Sequence, residues 1–449
     1  MTPELLLPAG SLKMMDYAFS YGADAVYVGQ PRYSLRVRNN EFNHIENLSA
    51  AAEKAHALGK KIYLACNIAP HNDKVRSFVK DMKEVLTIKP GALIMSDPGL
   101  IMLISENWPD IPIHLSVQAN TVNYATVKFW EKQGVKRIIL SRELSLGEIE
   151  DIRQHCPDIE LEVFVHGALC IAYSGRCLLS GYMTHRDSNQ GACTNSCRWK
   201  YQAHEATQTE TGDIIPSAKT LDESCCNEKS TVESDESPIY LLQEKGRPNE
   251  YMPAFEDEHG TYIMNSKDLR AVQHVKRLYD IGVNSFKIEG RTKSHFYVSR
   301  VAQVYRRAIT DAVAGKEFDF SLLNDLNSLA NRGYTEGFYR RHVPSEFQNY
   351  ETGNSVARQQ QFVGEILKED APCGYVVVDV KNKIEVGNEL ELMTPKGNIK
   401  FIANEIKNKK DEAISVAPGS GHKVKIRIPD GVDASMGLLM KTLDHSISR

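Results

Sequence analysis

Residues 5–29 read LLLPAGSLKMMDYAFSYGADAVYVG, and the hydrophobic period changes twice inside them. Leu5–Leu7 is a short apolar run that stops at Pro8-Ala9-Gly10. Leu12–Tyr21 then carries apolar residues at helical spacing, and Ala25–Val28 is a second apolar run ending at Gly29. A strand, a helix and a strand in so short a span make a βαβ unit, whose strands pair in parallel.

The rhythm continues outward from this unit. Further strands are expected at Ile62–Ala65, Ala92–Met95, Ile113–Ser116, Arg137–Leu140, Leu161–Val165 and Ser285–Ile288. Helical patterns fall between them at Ile45–Leu58, Lys74–Val85, Leu100–Glu106, Tyr124–Gln133 and Leu146–Gln154, with later ones at Lys267–Tyr279 and Tyr297–Val313. The count reaches eight units if the cysteine-bearing stretch follows the seventh strand. The expected fold class is therefore α/β, a TIM-like (β/α)8 barrel, with a doubly wound open sheet as the alternative. Turn residues cluster just after strands (Gly29-Gln30, Asn67, Asp97-Pro98-Gly99, Gln118-Ala119-Asn120), where a barrel places its chemistry.

Composition bounds the function. The chain has 449 residues, 25% charged and 42% hydrophobic, with a net charge of −4, so it is not a basic polyanion binder as a whole. A local basic patch on an acidic protein can still engage RNA. MTPELLLPAG lacks the basic start of a secretory signal, and no run of about 20 apolar residues is available to cross a bilayer. No membrane partner and a cytoplasmic location are the expectations. In that compartment nine cysteines are reduced thiols or metal ligands rather than disulfides.

Two segments break the barrel rhythm. Residues 205–258 form an acidic insertion, whose part 205–237 carries nine acids against two lysines and no clear period. An exposed, partly disordered segment is expected there, with Cys225 and Cys226 as spare thiols. Residues 334–361 read as a linker after a catalytic domain of residues 1–333. From residue 362 to 449 short alternating runs such as Tyr375–Val380, Glu389–Met393 and Lys423–Ile428 indicate a small C-terminal all-β barrel domain. Lys407, Lys409, Lys410, Lys423, Lys425 and Arg427 are candidates for a basic stripe on it, or for a lysine-protected edge.

The chemistry concentrates in residues 162–199, which hold Cys170, Cys177, Cys193 and Cys197. Soft thiolates gathered after a strand suit zinc or an iron–sulfur cluster. Structural zinc usually takes two close cysteine pairs. Only Cys193 and Cys197 are close here, which favours an iron–sulfur cluster in a cysteine insertion; if all four ligate, a 4Fe–4S cluster is fully coordinated, whereas an open iron site needs only three ligands. Neither H-E-x-x-H nor G-x-S-x-G occurs, so the common metallopeptidase and serine hydrolase motifs are missing. A Cys–His nucleophile using His166 or His185 is the remaining peptidase option.

The run Glu162, Phe164, Gly167, Ala168, Leu169, Cys170, Gly175, Cys177, Ser180 resembles the signature of the collagenase-like peptidase family U32. LLLPAG with GADAVYVG, SVQAN at Ser116–Asn120 and FKIEGR at Phe286–Arg291 extend the likeness over nearly the whole chain. The resemblance implies an oxygen-independent hydroxylase with a 4Fe–4S cluster and prephenate as the small-molecule hydroxyl donor. Family substrates are a tRNA wobble uridine, a ribosomal RNA cytidine or a quinone precursor, and other relatives are linked to collagen degradation. Length and a single β tail are most similar to the members that make 5-hydroxyuridine in tRNA. A U32-type peptidase, or a hydroxylase of ribosomal RNA or a quinone precursor, is the alternative. Quinone-type members take their fourth ligand just ahead of a KGR triplet. Glu244 stands there in this chain, which points to Cys197 as the fourth ligand. Partners implied are tRNA and the iron–sulfur assembly machinery.

A dicarboxylate donor calls for cations, so Arg36, Arg38, Arg142 and Lys287 are candidate substrate-binding residues. Gln118 and Asn120 suit hydrogen bonding to a base edge or to the donor. Glu289 and Arg291 are candidate catalytic residues, Glu289 as an acid–base group or as the counter-ion of Arg291. His166 is a third, to tune the cluster or donate a proton. Tyr27, Tyr33 and Tyr173 are candidate platforms for a splayed base.

Overall fold

In the computed structural model the described residues are 2–30, 32–34, 41–68, 70–168, 172–173, 176–177, 201–208, 214–220, 239–244, 251–257, 260–263, 268–290, 293–329, 333–340, 360–369, 371–372 and 374–443. Eight parallel strands form the centre: β1 (Glu4–Pro8), β2 (Ala25–Gly29), β3 (Lys61–Cys66), β4 (Ala92–Met95), β5 (Ile113–Leu115), β6 (Arg137–Ile139), β7 (Glu160–Ala168) and β8 (Ser285–Ile288). Strand β8 pairs in parallel with both β7 and β1, at Phe286↔Val163 and Leu5↔Phe286, and so closes the ring. The expected (β/α)8 barrel is found, and the open sheet is excluded.

Helices alternate with the strands: α1 (Leu12–Ser20), α2 (Ile45–Ala57), α3 (Asn72–Val85), α4 (Pro98–Asn107), α5 (Tyr124–Lys132), α6 (Leu146–His155), α7 (Val275–Ile281) and α8 (His295–Val313). Their starts are written locally. Ser11, Asp97, Asn123 and Ser294 each accept a hydrogen bond from a backbone N–H of the first turn. Ser145 and Glu148 form a reciprocal capping box at α6. Each helix turns an apolar stripe to the barrel, as Val298, Val301, Ala302, Tyr305 and Ile309 do in α8. No helix among the described residues is long and apolar enough to cross a membrane.

The structure corrects three expectations. The pattern at 267–279 is not one helix: Asp268–Arg270 is a strand antiparallel to the end of β7, and the helix begins at Val275. Leu269, Val272, Val275 and Leu278 are all buried, so the helical spacing of apolar residues persists although the backbone changes type. The acidic insertion holds a five-stranded antiparallel sheet built from Tyr201–Gln208, Ile214–Thr220, Ile239–Glu244, Tyr251–Asp257 and Gly260–Ile263. Backbone pairing orders these segments despite their weak side-chain period, while Cys225 and Cys226 lie outside the described residues. The proposed linker starts later than residue 334. Tyr334–Thr335 pairs with Asp268–Leu269, and the Tyr339 hydroxyl donates to the Phe164 carbonyl at 2.5 Å, so these residues belong to the barrel.

Residues from 360 onward form an eight-stranded antiparallel sheet and a smaller two-stranded one around Val363, Val378, Leu390, Leu392, Val424 and Ile426. This part is all-β, as expected. Three cations of the basic stripe are paired with carboxylates: Lys425 with Asp411 at 2.6 Å, Lys407 with Glu405 at 3.1 Å, and Lys423 with Glu369. The domain is not a free appendage, because Met393, Leu438 and Met440 are buried within the barrel's own hydrophobic cluster.

Candidate active site at the barrel mouth

Charge fills the barrel lumen. Arg137 of β6 donates from Nη1 to Glu4 of β1 at 2.5 Å and to Glu162 of β7 at 3.1 Å, and from Nε to Glu160 at 2.7 Å. Strands β1 and β6 are not neighbours, so the first of these bonds crosses the lumen. The Tyr63 hydroxyl donates to Glu4 at 2.7 Å, and Lys287 Nζ donates to Glu162 at 2.8 Å. Burial alone would raise the pKa of Glu162, but the Lys287 and Arg137 cations hold it below the ordinary carboxylate value. Glu4 is lowered in the same way: Arg137 outweighs burial. Lys287 was expected to bind substrate. With 4% of its side chain exposed and its ammonium on Glu162, it instead belongs to this buried column.

Above the column the chain ends of β2, β6, β7 and β8 converge. The Lys287 ammonium lies 4.5 Å from the Tyr27 ring centre and 5.6 Å from that of Phe164. The Arg142 guanidinium stacks on Phe164 at 3.9 Å. Its Nη2 sits 3.9 Å from Glu289 Oε2, and its buried Nε has no hydrogen-bond partner. The Tyr27 hydroxyl donates to the Ile288 carbonyl at 3.0 Å and to Glu289 at 3.3 Å. Arg142 and Glu289 are thus brought together, where the sequence paired Glu289 with Arg291. Arg291, Arg36 and Arg38 lie outside the described residues. An arginine laid flat on an aromatic ring beside a carboxylate suits carboxylate recognition and proton transfer.

The tyrosine platforms are corrected. Tyr27 is 7% exposed with its ring face against Lys287. Tyr33 is 0% exposed, packed edge-on against Phe78 and hydrogen-bonded to Asp81 at 2.6 Å. Neither ring offers a face for stacking, and the Tyr173 side chain lies outside the described residues.

A second polar group crowns β3, β4 and β5. Asn67 Nδ2 donates to Gln118 Oε1 at 3.1 Å and to Ser116 Oγ at 3.4 Å, and the Ser116 hydroxyl also bonds to Gln118. Ser96 Oγ donates to the Asn67 carbonyl at 3.2 Å. Asn120 adopts the left-handed conformation (φ 51°) and donates from Nδ2 to the Gln118 carbonyl at 3.1 Å. Gln118 and Asn120 therefore share one loop, half-buried at the mouth, and the network holds Gln118 in a single orientation.

His166 lies two residues before the end of β7. Its ring is 1% exposed, ringed by Tyr297, Tyr305 and Tyr334 at 5.9, 5.5 and 5.5 Å between centres. Burial, reinforced by the charges of Arg270 and Lys293, pushes its pKa down to about 3, so the imidazole is neutral near pH 7. Nδ1 lies 3.4 Å from the Tyr305 hydroxyl, and Nε2 is buried with no hydrogen-bond partner. A neutral, enclosed ring is a poor proton donor, which weighs against that part of the expectation. Gly167 follows at φ 103°, where a Cβ would sit 2.3 Å from the Glu289 carbonyl oxygen; only glycine fits the approach of β7 to β8.

Cys170, Cys193 and Cys197 lie outside the described residues, and of Cys177 the backbone is described. Among the described residues no group of three or more His, Cys, Asp or Glu side chains is placed to hold a metal ion. Ala172–Tyr173 pairs antiparallel with Arg176–Cys177, setting the Cys177 backbone opposite Ala172. The orphaned Nε2 of His166 lies just before that hairpin in the chain. Sequence reasoning alone assigns no role to Arg137, Glu4 or Tyr297. The available signal was charge inside buried strands, as in LEVFV after Glu160 and in SFKI.

Comparison with known proteins finds that the model of Peptidase family U32 matches residues 10–349, and that of the Peptidase family U32 C-terminal domain residues 358–441. The chain is 58% identical over 447 residues to tRNA hydroxylation protein P of Escherichia coli (strain K12), covering 100% of this chain and 98% of that protein. It is 57% identical over 459 residues to the protein of that name in Haemophilus influenzae, again covering 100% and 98%. A 23S rRNA 5-hydroxycytidine synthase of Escherichia coli is 28% identical over 461 residues, covering 99% of this chain and 60% of its own length.

Proposed function

The chain belongs to peptidase family U32, and from that premise we propose that it hydroxylates tRNA, forming 5-hydroxyuridine at the wobble position without molecular oxygen. The observation that carries this reading is the 58% identity, over its full length, to a protein named for tRNA hydroxylation. The alternative of ribosomal RNA as substrate has weaker support, at 28% identity.

In this reading Cys170, Cys177, Cys193 and Cys197 hold a 4Fe–4S cluster, which when bound supplies one-electron redox chemistry. The protein's own side chains prepare the reactants. Arg142, levelled by Phe164, grips a carboxylate of the hydroxyl donor, for which prephenate is the candidate. Glu289, 3.9 Å away, is the carboxylate that takes up or returns a proton at the mouth. Gln118 and Asn120 present amides to the base or the donor, with Arg36, Arg38 and Arg291 as further cations. The enzyme works in the cytoplasm and depends on iron–sulfur assembly machinery.

Mass spectrometry of tRNA nucleosides from cells with and without the gene tests the reading. Loss of 5-hydroxyuridine and its derivatives on deletion is expected; an unchanged tRNA profile with a missing ribosomal RNA hydroxycytidine would transfer the activity to the other substrate. Protein purified without air should be brown with about four irons per chain, the content of one cubane cluster. Colourless protein with one zinc would sink the cluster.

A further inference from the structure

Helix α8 holds two parts of the molecule on two different faces. On one face, the Tyr297 hydroxyl donates to the Glu289 carbonyl at 2.8 Å. Tyr305 on the same side donates to the Val165 carbonyl at 2.6 Å and accepts from the Ala271 N–H at 3.3 Å. These bonds seize β7 and β8 at the point where both strands reach the mouth. The Glu289 N–H itself donates to the His166 carbonyl at 2.8 Å, so the two strand ends move as one.

The other face belongs to the C-terminal domain. Arg300, 1% exposed, donates from Nη2 to Glu391 at 2.8 Å. Gln303 Nε2 donates to the Thr394 carbonyl at 3.0 Å and to Asn398 at 2.9 Å. Phe296 stacks on Phe362 with ring centres 4.9 Å apart, and His295 Nε2 lies 3.4 Å from Glu365. A buried arginine with Nε and Nη1 unpartnered is costly to keep unless it fixes a geometry.

From this arrangement we infer that α8 is a positioning element that ties the C-terminal domain to the catalytic mouth, with Tyr297 as the residue that sets Glu289. The inference rests on the hydroxylase reading. It adds that the domain contributes to the chemical step and not only to holding RNA. Removing the domain's grip on Arg300 would let α8 shift and the Glu289 backbone with it. A displacement of about 1 Å at a reacting group costs rate rather than affinity.

The test uses the full chain and two variants. Arg300→Met/Glu391→Met removes both charges together, so neither is stranded. Tyr297→Phe removes a single hydroxyl. In each, hydrogen exchange of the amides over residues 285–290 should quicken about tenfold, and tRNA hydroxylation in a complemented deletion strain should slow about tenfold. The tRNA dissociation constant should stay within about twofold of wild type. Exchange at the wild-type rate overturns the inference, as does quickened exchange with undiminished hydroxylation, or a loss explained wholly by weaker tRNA binding. If wild-type protein restores no 5-hydroxyuridine, the functional reading fails instead, while the exchange data still decide whether α8 holds the mouth.

Discussion

Each buried charge in the lumen is matched mainly by a charge on another strand, so single substitutions there differ from paired ones. Lys287→Met leaves Glu162 with Arg137 alone in a dry interior. A loss of about 3–5 kcal/mol in urea unfolding is expected. Adding Glu162→Gln should recover a large part of it, since the stranded charge is gone. His166 makes a separate prediction in pH. Its folded pKa of about 3 lies below the ordinary 6.5, so below pH 6.5 the unfolded chain takes up a proton that the folded chain refuses until about pH 3. Stability should therefore fall by up to about 1.4 kcal/mol per pH unit across that window. Thermal melts at stepped pH should show a shallower fall for His166→Gln. Glu4 and Glu162, held below the carboxylate value of 4.5, add to the loss only at lower pH. Of the proposed site residues, Arg142 and Glu289 were readable as polar residues at strand ends. Their mutual approach was not, because it depends on the closure of β6 and β8 around the same mouth. Lys287 was misread because a lysine in a strand looks alike whether it faces solvent or a buried carboxylate.

Strands and helices of the barrel were readable because period, caps and turn residues agree locally. Strand β8 and the start of α2 fall where the pattern puts them. The strand Asp268–Arg270 was not readable, since its partner is the far end of β7 and its apolar residues would be buried equally well in a helix. The five-stranded insertion was missed because acidic residues obscure its alternation while backbone pairing carries it. The end of β7 makes its own prediction. Gly167→Ala adds a methyl 2.3 Å from the Glu289 carbonyl oxygen at a φ of 103°. A cost of about 3 kcal/mol or more is expected from strain and clash together. It should appear as a lower urea midpoint, with tRNA hydroxylation falling even in the protein that remains folded. An unchanged midpoint would mean that β7 and β8 separate easily.

The family models divide the chain at residues 349 and 358, yet its core does not divide there. Met393, Leu438 and Met440 are fully buried in the barrel's cluster, and the Tyr21 hydroxyl donates to the carbonyls of Met393 and Met436 at 3.0 and 2.9 Å. A barrel expressed as residues 1–340 would expose that surface. It is expected to lose about 6 kcal/mol, near 2 kcal/mol for each of the three large apolar side chains withdrawn. A thermal melt of the fragment beside the whole chain measures this, and an unshifted midpoint would show the domains to be independent. The class change from barrel to β tail was evident from the sequence. Their shared core was not, since an apolar residue facing a second domain carries no mark distinguishing it from one facing its own.

The barrel closes through a strand that arrives late. Strands β1 to β7 are complete by residue 168, and β8 begins at residue 285, on the far side of the insertion. A ribosome adding about 5–20 residues per second leaves the seven-stranded sheet with two open edges for on the order of ten seconds. Throughout that interval Glu162 lacks its lysine and the edges of β1 and β7 can pair with strangers. Lys287 then enters as the last piece of the lumen, completing the hydrogen-bonded ring and the charge balance together. The insertion thus sets a clock for biogenesis: the vulnerable period lengthens with every residue placed between β7 and β8.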